Sequence, residues 1–565
     1  MNQKIKNTIV ESSSGRITPV NTFGWDTAYV ASFPIINSAI LKDKSYPSSF
    51  EHTDSAGVHI KGKWKSWQLS IGGAGQNLQM NCVVENGEIT ALSQSGDLKD
   101  ASIFIQIRLS ILPTTDKIND PTSKPGTGKA KKLVMNPNAQ GNDPAVSVLA
   151  SSSYPHLSSE ILKDLVGTIF SEYFNANTDA FTHTFAIMNL NEEADKDGFQ
   201  WLKPSAYQYA VASPESATME NSAFGLISMV DENKIDPHQQ QAVDSRALTD
   251  LPTGANSSFV ISQHNVAKHM LMRGAISTIQ GSKKSDFTLS SDGLSITNVN
   301  KLTWGHFKTK HGVISPTLAP GNFLIRCEGN FVYLEIDNAE HSPSKGITVH
   351  MNLTQKFSFK TIQRKDGKYV FIPEEDPFGK PDFHSNVSLS DGLEITQLIT
   401  EIVIAVVGVL VVGSGIGAAL AEGAEVAVNA GEDAANIAID AEMAEAAAAE
   451  NPEEVAAAED AGADDADQGA EDPDNPAQVQ NGGILTSAKF RLANGLIGAM
   501  AGVVLGGIGV ARYIVEKDYD SVPEFDHFAA NCLGASKWPL MDDYDLVSAS
   551  FRDSLVIATK LKQKK

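Results

Sequence analysis

The chain has 565 residues, of which 42% are hydrophobic and 20% are charged, and its formal net charge is −23. This composition is ordinary for a globular protein, and the length supports two to four domains with an ample core. The acidic charge is local, since residues 422–474 contain 18 Asp or Glu and no Lys or Arg, which leaves −5 for the rest of the chain. Because phosphate binding needs concentrated Lys and Arg, this composition argues against nucleic acid as a partner.

The N-terminal sequence indicates where the protein is synthesised, and the spacing of the cysteines indicates whether they form disulfides or a zinc site. The first 15 residues lack the apolar core of a secretory signal peptide. We therefore expect synthesis in the cytoplasm and, for any protein that leaves the cell, release by a non-classical route. Residues 1–20 are polar and are expected to be flexible. Cys82, Cys327 and Cys532 lie far apart, with neither a disulfide framework nor zinc-ligand spacing.

The first predicted element is a helix that follows Asp26. Asp26 is a candidate N-cap, and Val30, Phe33 and Ile40 follow at near-helical spacing. Pro34 is expected to kink this helix.

A β region comes next. Strands are predicted over 58–73 and 78–89, which are separated by Gly and Asn. Ile103, Ile105, Ile107, Leu109 and Ile111 alternate along one face, which predicts a single long, half-buried strand.

Residues 113–145 are rich in Pro, Gly, Asn and Lys and predict a long mobile loop. The helix after it is capped by Ser158 or Ser159. Its apolar stripe consists of Ile161, Leu162, Leu165, Ile169, Phe170 and Phe174. Short strands are predicted near 181–190, 206–213 and 223–230.

The element order then repeats after a polar link at 231–255. A helix is predicted over 257–275, a hairpin over 323–337 turns at Gly329-Asn330, and a strand alternates from Ile347 to Leu353. Residues 540–560 are expected to add a last strand or two. The order of helix, strands, helix and strands thus occurs twice.

Two apolar stretches stand out near the C-terminus. Residues 402–421 and 492–511 each contain 20 uncharged residues, enough to cross a bilayer core as a helix. A helix that is apolar all round is equally typical of a protein core. If the two stretches form a membrane hairpin, the candidate membrane-contact residues are Val409, Val411, Val412, Ile416, Leu496, Val503 and Leu505.

Sequence motifs for catalysis, cofactors and metals are absent. The glycines at 413, 415 and 417 lack the strand, helix and strand setting of a dinucleotide fold. His264 and His269 lie five apart, one too many for paired metal ligands on a helix. We therefore predict neither catalytic residues nor a metal site, and no cofactor other than a possible bound lipid.

Four stretches resemble one known family. They are "NTFGWDTAYVASF" (21–33), "GVHIKGKWKSWQLSIGGAGQNLQMNC" (57–82), "AVDSRALTDLPTGANSSFVISQHNVAKHMLM" (242–272) and "LTWGHFKTKHGVISPTLAPGNFLIRCEGNFVYLEID" (302–337). They are similar to the TULIP-type accessory proteins encoded beside clostridial botulinum neurotoxin genes, the forty-seven-kilodalton protein and its OrfX-type relatives. TULIP denotes a tubular lipid-binding fold. The resemblance is weakest over 422–490.

The resemblance implies an α+β fold with two TULIP-like units, each a long curved antiparallel sheet wrapped around helices. The first unit is expected at 21–235 and the second at 236–565. The second unit would contain an apolar helical hairpin at 392–515, interrupted by the acidic, Ala-rich linker 422–490.

The resemblance also implies a non-enzymatic lipid-binding protein that assists a bacterial protein toxin. The toxins assisted by this family include insecticidal ones. The expected partners are a lipid or fatty acid, toxin-complex proteins and a membrane surface. Candidate lipid-lining residues are Val30, Phe33, Ile103, Ile105, Ile107, Leu165, Ile169 and Phe170. Two alternatives remain open, a lipid-free scaffold or chaperone of a toxin complex, and a membrane-inserting protein that uses the 402–421/492–511 hairpin.

Overall fold

A computed structural model of the chain describes residues 18–113, 130–136, 144–189, 199–279, 281–305, 307–309, 312–373, 382–390, 425–428, 437–439, 496–497, 500 and 522–563. Over these residues the fold consists mostly of antiparallel sheets with few helices.

The strands follow one another in two series. Those of the first half are β1 (Thr27–Ser32), β2 (Ser49–Thr53), β3 (His59–Leu69), β4 (Leu78–Ala91), β5 (Gln94–Asp97), β6 (Ser102–Ile107), β7 (Leu109–Pro113), β8 (Ala130–Met135), β9 (Val146–Val148), β10 (Thr184–Asn189), β11 (Pro204–Ala212) and β12 (Ala223–Val230). Those of the second half are β13 (Ser257–Ile261), β14 (Phe287–Leu289), β15 (Ser295–Asn298), β16 (Leu302–Thr303), β17 (Phe307–Thr309), β18 (Gly312–Ile314), β19 (Thr317–Leu318), β20 (Phe323–Glu328), β21 (Phe331–Ser344), β22 (Ile347–Phe357), β23 (Phe359–Gln363), β24 (Tyr369–Pro373), β25 (Asp382–Leu389), β26 (Glu425–Val428), β27 (Ile437–Ile439), β28 (Ser536–Lys537), β29 (Met541–Arg552) and β30 (Ser554–Gln563).

Over the described residues, the α-helices whose two ends are both defined are α1 (Phe33–Asp43), α2 (Glu160–Ala176), α3 (Arg246–Thr249), α4 (Gln263–Asn265), α5 (Met272–Thr278) and α6 (Phe525–Gly534). A π-helical turn, Val266–Leu271, joins α4 to α5. Short 3-10 turns lie at Thr178–Ala180, Gln200–Leu202 and Lys284–Asp286.

The first half forms a sheet in the order β2-β3-β4-β6-β9, with β5 paired to β4. Helix α2 packs against β2, β4 and β9, and α1 packs against β3. The sequence favours α2 because the Ser159 hydroxyl accepts a hydrogen bond from Leu162 N at the N-terminus. Its buried stripe then consists of Leu162, Val166, Ile169, Phe170, Tyr173 and Phe174.

A central sheet joins the two halves, in the order β11-β12-β1-β13-β30-β29. Three of its strands come from each side of residue 236, and β1 pairs antiparallel with β13. Apolar side chains cover both faces, in one large core cluster and one smaller cluster around Trp25 and Val30. The predicted unit boundary therefore falls between strands of a single shared sheet.

Asp26 also connects the halves. Its buried carboxylate accepts hydrogen bonds from Val230 N (2.9 Å), Asn233 Nδ2 (2.9 Å) and Asn265 Nδ2 (2.8 Å). Asn265 belongs to the second half, so Asp26 holds its α4 segment against the end of β12.

The second half forms a long sheet in the order β14-β15-β20-β21-β22-β25-β26-β27. Strands β20 and β21 meet at the two-residue turn Gly329-Asn330, as predicted, and Gly329 has a positive φ of 61°. Burial alternates along β22 from Ile347 to Leu353, also as predicted. A smaller sheet, β28-β10-β8-β7, contains strands from both halves.

The predicted start of the first helix, directly after Asp26, was wrong. Residues 27–32 form β1, all six of them buried, and the helix begins at Phe33. A strand covered on both faces need not alternate in polarity, so its apolar residues also matched a helical spacing. Pro34 lies in the first turn, where its missing N–H costs nothing, and does not kink the helix.

The long strand predicted over 103–111 is divided at Arg108. β6 pairs with β4, whereas β7 pairs with β8 in another sheet. Part of the predicted loop 113–145 is also a strand, since β8 (130–135) pairs with β7 and β10. Residues 114–129 and 137–143 lie outside the described residues.

The helix predicted over 257–275 was wrong at its N-terminal end, because residues 257–261 form β13. The strands predicted near 540–560 are confirmed as β29 and β30. Helix α6 had no counterpart in the sequence predictions. The helix predicted at 392–421 lies outside the described residues.

Candidate functional site

The predicted lipid-lining residues occupy two different places. Seven of them lie in or against the large core cluster, where Phe33, Ile103, Ile105, Ile107, Ile169 and Phe170 are buried and Leu165 is half-buried. Val30 lies on the opposite face of the central sheet, in the smaller cluster. The structure therefore does not bring Val30 together with the others.

Aromatic rings fill the interface between α2 and the first sheet. This aromatic cluster comprises Phe50, Trp64, Trp67, Phe170, Tyr173, Phe174 and Phe181. The ring centroids of Phe170 lie 5.6 Å from Trp64 and 5.2 Å from Phe50. Such distances are those of rings in direct contact, so α2 packs on the sheet in the manner of an ordinary core.

Two glycines make room for this packing. Gly62 and Gly87 face each other across β3 and β4. A Cβ on Gly62 would lie 2.6 Å from the ring of Phe50 and 2.4 Å from the Asn86 carbonyl oxygen. The absence of side chains at this cross-strand pair thus allows Phe50 to cover the sheet.

A crevice lies at the junction of the two halves, between the central sheet and the C-terminal end of α6. It has an empty volume of about 270 Å³, part of it open to solvent. It is lined by Thr27, Tyr29, Leu202, Pro204, Tyr207, Leu226, Ser228, Phe259, Cys532, Ala535 and Ser536. None of the eight predicted lining residues is among them. Binding sites are often found at such domain junctions.

The polar groups of this junction crevice are neutral, and most of them form hydrogen bonds with neighbouring groups. Thr27 Oγ1 and Ser228 Oγ share a hydrogen bond of 2.6 Å, and the Tyr207 hydroxyl donates to the Ala535 carbonyl oxygen at 3.2 Å. Burial raises the pKa of the Tyr29 and Tyr207 hydroxyls and raises the pKa of the Cys532 thiol well above its usual range.

These properties define what the junction crevice can do chemically. Its lining contains no Lys, Arg, His, Asp or Glu. A thiol with a raised pKa is a poor nucleophile, and a buried neutral phenol is a poor base. The arrangement suits binding of an uncharged, mainly apolar group.

A second polar cluster lies beside the junction. Trp201 stacks on His269, with ring centroids 4.2 Å apart and planes at 5°, while Lys268 forms an ion pair with Asp231. Burial, the largest cause, lowers the pKa of His269 to about 4, and the hydrogen bond from Lys268 lowers the pKa of Asp231. This cluster packs one half against the other.

No group of three or more His, Cys, Asp or Glu side chains that could hold a metal is found within the described ranges. His264 and His269 make separate contacts. The Nδ1 atom of His264 lies 3.1 Å from the Gly293 carbonyl oxygen, and the ring of His269 stacks on Trp201.

Part of the second apolar stretch is described. Leu496, Ile497 and Met500 are helical, at most 3% exposed, and belong to the large core cluster. The other candidate membrane-contact residues, at 409, 411, 412, 416, 503 and 505, lie outside the described residues. Within the part of the chain that was searched, no helix is long and apolar enough to cross a membrane. Membrane insertion by the hairpin stays a prediction.

The junction crevice could not be predicted from the sequence, because distant strands form it. The sequence predicts strands near 206–213 and 223–230, and Tyr207 lies in the first of them. Nothing in the local pattern indicates that these strands meet β13 and the end of α6. Only pairing between residues more than 200 positions apart creates the crevice.

Comparison with known proteins gives a family and several relatives. The family model described as "OrfX-like: Protein OrfX2/OrfX3/P47" matches residues 22–420. The chain is 26% identical over 306 residues to Protein OrfX3 of Clostridium botulinum (strain Kyoto / Type A2), covering 50% of this chain and 61% of that protein. It is 27% identical over 272 residues to Protein OrfX3 of Paraclostridium bifermentans, covering 45% and 53%.

These alignments span less than two thirds of either relative. Among solved structures, that of P47 from Clostridium botulinum A2 is similar with a TM-score of 0.49 and 18% sequence identity. That match covers 69% of this chain and 86% of the P47 chain.

Proposed function

The chain belongs to the OrfX-like family, and from this premise we propose that it is a non-enzymatic accessory factor of a bacterial protein toxin that binds a lipid or fatty acid. The resemblance predicted from four sequence blocks is confirmed by the family match. The accessory role, the lipid and the two TULIP-like units are parts of the proposal, as are the absence of a cofactor and cytoplasmic synthesis followed by non-classical release.

The observation that carries the lipid part is the uncharged lining of the junction crevice. An acyl chain needs apolar walls, which Leu202, Leu226 and Phe259 supply. The empty volume of about 270 Å³ includes open solvent, and the space enclosed between the walls is about that of one water molecule. The walls would therefore have to move apart to admit the end of an acyl chain.

The core around the crevice supports the same proposal. One apolar cluster runs from Tyr29 through both sheets to Leu561. It includes Phe528 and Cys532 of α6, and Cys532 also lines the crevice. A ligand held at the crevice would therefore continue an apolar interior that both halves share.

The test fills the crevice from the C-terminal end of α6. Ala535, the residue directly after α6, lines the crevice, whereas Ala530 is exposed on α6 itself. Protein stripped of lipid is titrated with 1-monoolein, an uncharged lipid, and bound lipid is counted by native mass spectrometry. Wild type and Ala530→Trp should bind equally, and Ala535→Trp should bind at least tenfold more weakly. Equal binding by a folded Ala535→Trp variant would contradict the site.

A second candidate function is supported by the aromatic cluster. Its rings are in direct contact, as in a solid protein core that leaves no space for a ligand. Such a core supports a rigid surface to which another protein could bind. In this alternative the protein is a lipid-free scaffold or chaperone for toxin proteins. Affinity purification of the tagged chain from producing cells should then yield a stoichiometric protein partner and no extractable lipid.

A further inference from the structure

One hairpin of the first half has an unusual tip. β4 and β5 are joined by Leu92 and Ser93 alone, since Ala91 pairs with Gln94. Both tip residues have positive φ, 49° and 63°. Two positive φ values are the pattern of a type I′ turn, for which Asn-Gly is the favoured sequence. A bulky Leu in this region is strained.

Leu92 receives no compensation from packing. Its side chain is 76% exposed, the largest exposure among the exposed large hydrophobic residues of the described ranges. The exposed side chain gains no free energy from burial, so packing does not offset the backbone strain at Leu92. Strain that the fold does not require is typical of a functional position.

A second exposed apolar side chain lies at the same end of the molecule. The Ser159 hydroxyl donates to Gln94 Oε1 at 3.0 Å, which holds the start of α2 beside the hairpin tip. Ile161, in the first turn of α2, is 52% exposed. Leu162 instead turns inward, so Ile161 is not part of the helix's core stripe.

We propose that Leu92 and Ile161 form a membrane-contact tip that inserts reversibly into a zwitterionic lipid bilayer. Two projecting side chains are too small an area for a protein interface, which needs roughly 800 Å² per partner. A bilayer needs no matching shape. Within 91–97 and 158–164 the charged residues are Asp97, Glu160, Lys163 and Asp164. This excess of carboxylates disfavours an anionic surface.

The test combines a turn-improving variant with a matched control. Leu92→Asn with Ser93→Gly installs the favoured turn, so the melting temperature should stay equal or rise while the apolar tip is lost. Ile161→Ser removes the second side chain. Ile71→Asn changes an exposed residue (44%) in the connection between β3 and β4, at the other end of β4.

The measurement is co-flotation of the full chain with phosphatidylcholine vesicles. Wild type and Ile71→Asn should float with the vesicles, and the double variant should lose at least fivefold in bound fraction, with a smaller loss for Ile161→Ser. Replacing 30% of the lipid with phosphatidylserine should weaken binding. Absence of wild-type flotation, equal flotation of the double variant, or stronger binding with phosphatidylserine would each overturn the proposal. A lipid-free crevice would leave these results unaffected.

Discussion

At the scale of single residues, His183 shows how burial determines the pH dependence of the fold. The ring is 1% exposed, its Nδ1 lies 2.8 Å from Ser45 Oγ, and Phe181 and Phe185 pack beside it. Burial lowers the pKa of His183 to about 4. The folded state therefore requires the neutral imidazole.

The sign of the pH effect follows from that lowered pKa. In the unfolded chain the imidazole has a pKa near 6.5, so between about 6.5 and 4 the unfolded state takes up a proton that the folded state does not. The contribution of the buried neutral His183 to the free energy of unfolding is therefore fully present above pH 6.5. It is lost as the pH falls toward 4. We expect the loss at pH 4.5 to be roughly 2 to 3 kcal/mol from this residue.

Urea unfolding at pH 7 and pH 4.5 measures this loss. His183→Gln can keep the hydrogen bond to Ser45 but cannot take up a proton, so it should lose less stability on acidification than wild type. His238→Gln, which changes an exposed histidine, serves as the control. The same pH dependence in wild type and His183→Gln would refute the assignment.

At the scale of elements, the packing of α2 on the first sheet distinguishes a core from a tunnel. Ile169 and Ile105 are each 1% exposed and belong to the same cluster as the aromatic rings. If they line a tunnel, a Trp at either position fills it without cost to stability. If they are core, the added volume forces neighbouring side chains apart and costs roughly 1 to 3 kcal/mol or more.

We predict the second outcome for Ile105→Trp and Ile169→Trp. Chemical denaturation should show the loss of stability, and the lipid content per folded chain should not change. Thr168→Trp, on the exposed face of α2, is the matched control. A stable Ile169→Trp variant that no longer retains lipid would restore the lining assignment.

Elements with one buried face were predictable from the sequence, and those with two buried faces were not. The alternation of β22 and most of the predicted stripe of α2 follow from the burial of one face. The inclusion of Ile161 in that stripe was wrong, since Ile161 is exposed, and Leu165 is only half-buried. β1 and β13 are buried on both faces, and the sequence pattern wrongly predicts them as parts of helices. Each of these strands leads directly into a helix, so periodicity alone could not separate strand from helix.

The same limit applies to the candidate site. The family resemblance predicts an apolar interior. The alternation of apolar and polar residues along a strand cannot show whether the apolar face belongs to a dry core or lines a ligand-binding site. The junction crevice depends on Tyr29, Phe259 and Cys532 meeting across more than 500 residues of chain. No local pattern encodes that meeting, because it results from strand pairing between the halves.

At the scale of the whole molecule, the two halves act as one structural unit. The central sheet takes three strands from each half, and Asp26 bridges them through Asn265. A ligand at the junction crevice would contact both halves at once. Binding there would stabilise the joined form, since any ligand specific for the folded state shifts the unfolding equilibrium.

The most direct test of lipid binding is native mass spectrometry of the freshly purified protein, with solvent extraction to identify any bound molecule. We expect about one uncharged or fatty-acid lipid per chain, and a lower unfolding temperature once that lipid is removed. A mass equal to that of the bare chain, with no extractable lipid, would contradict the lipid proposal and favour the scaffold function.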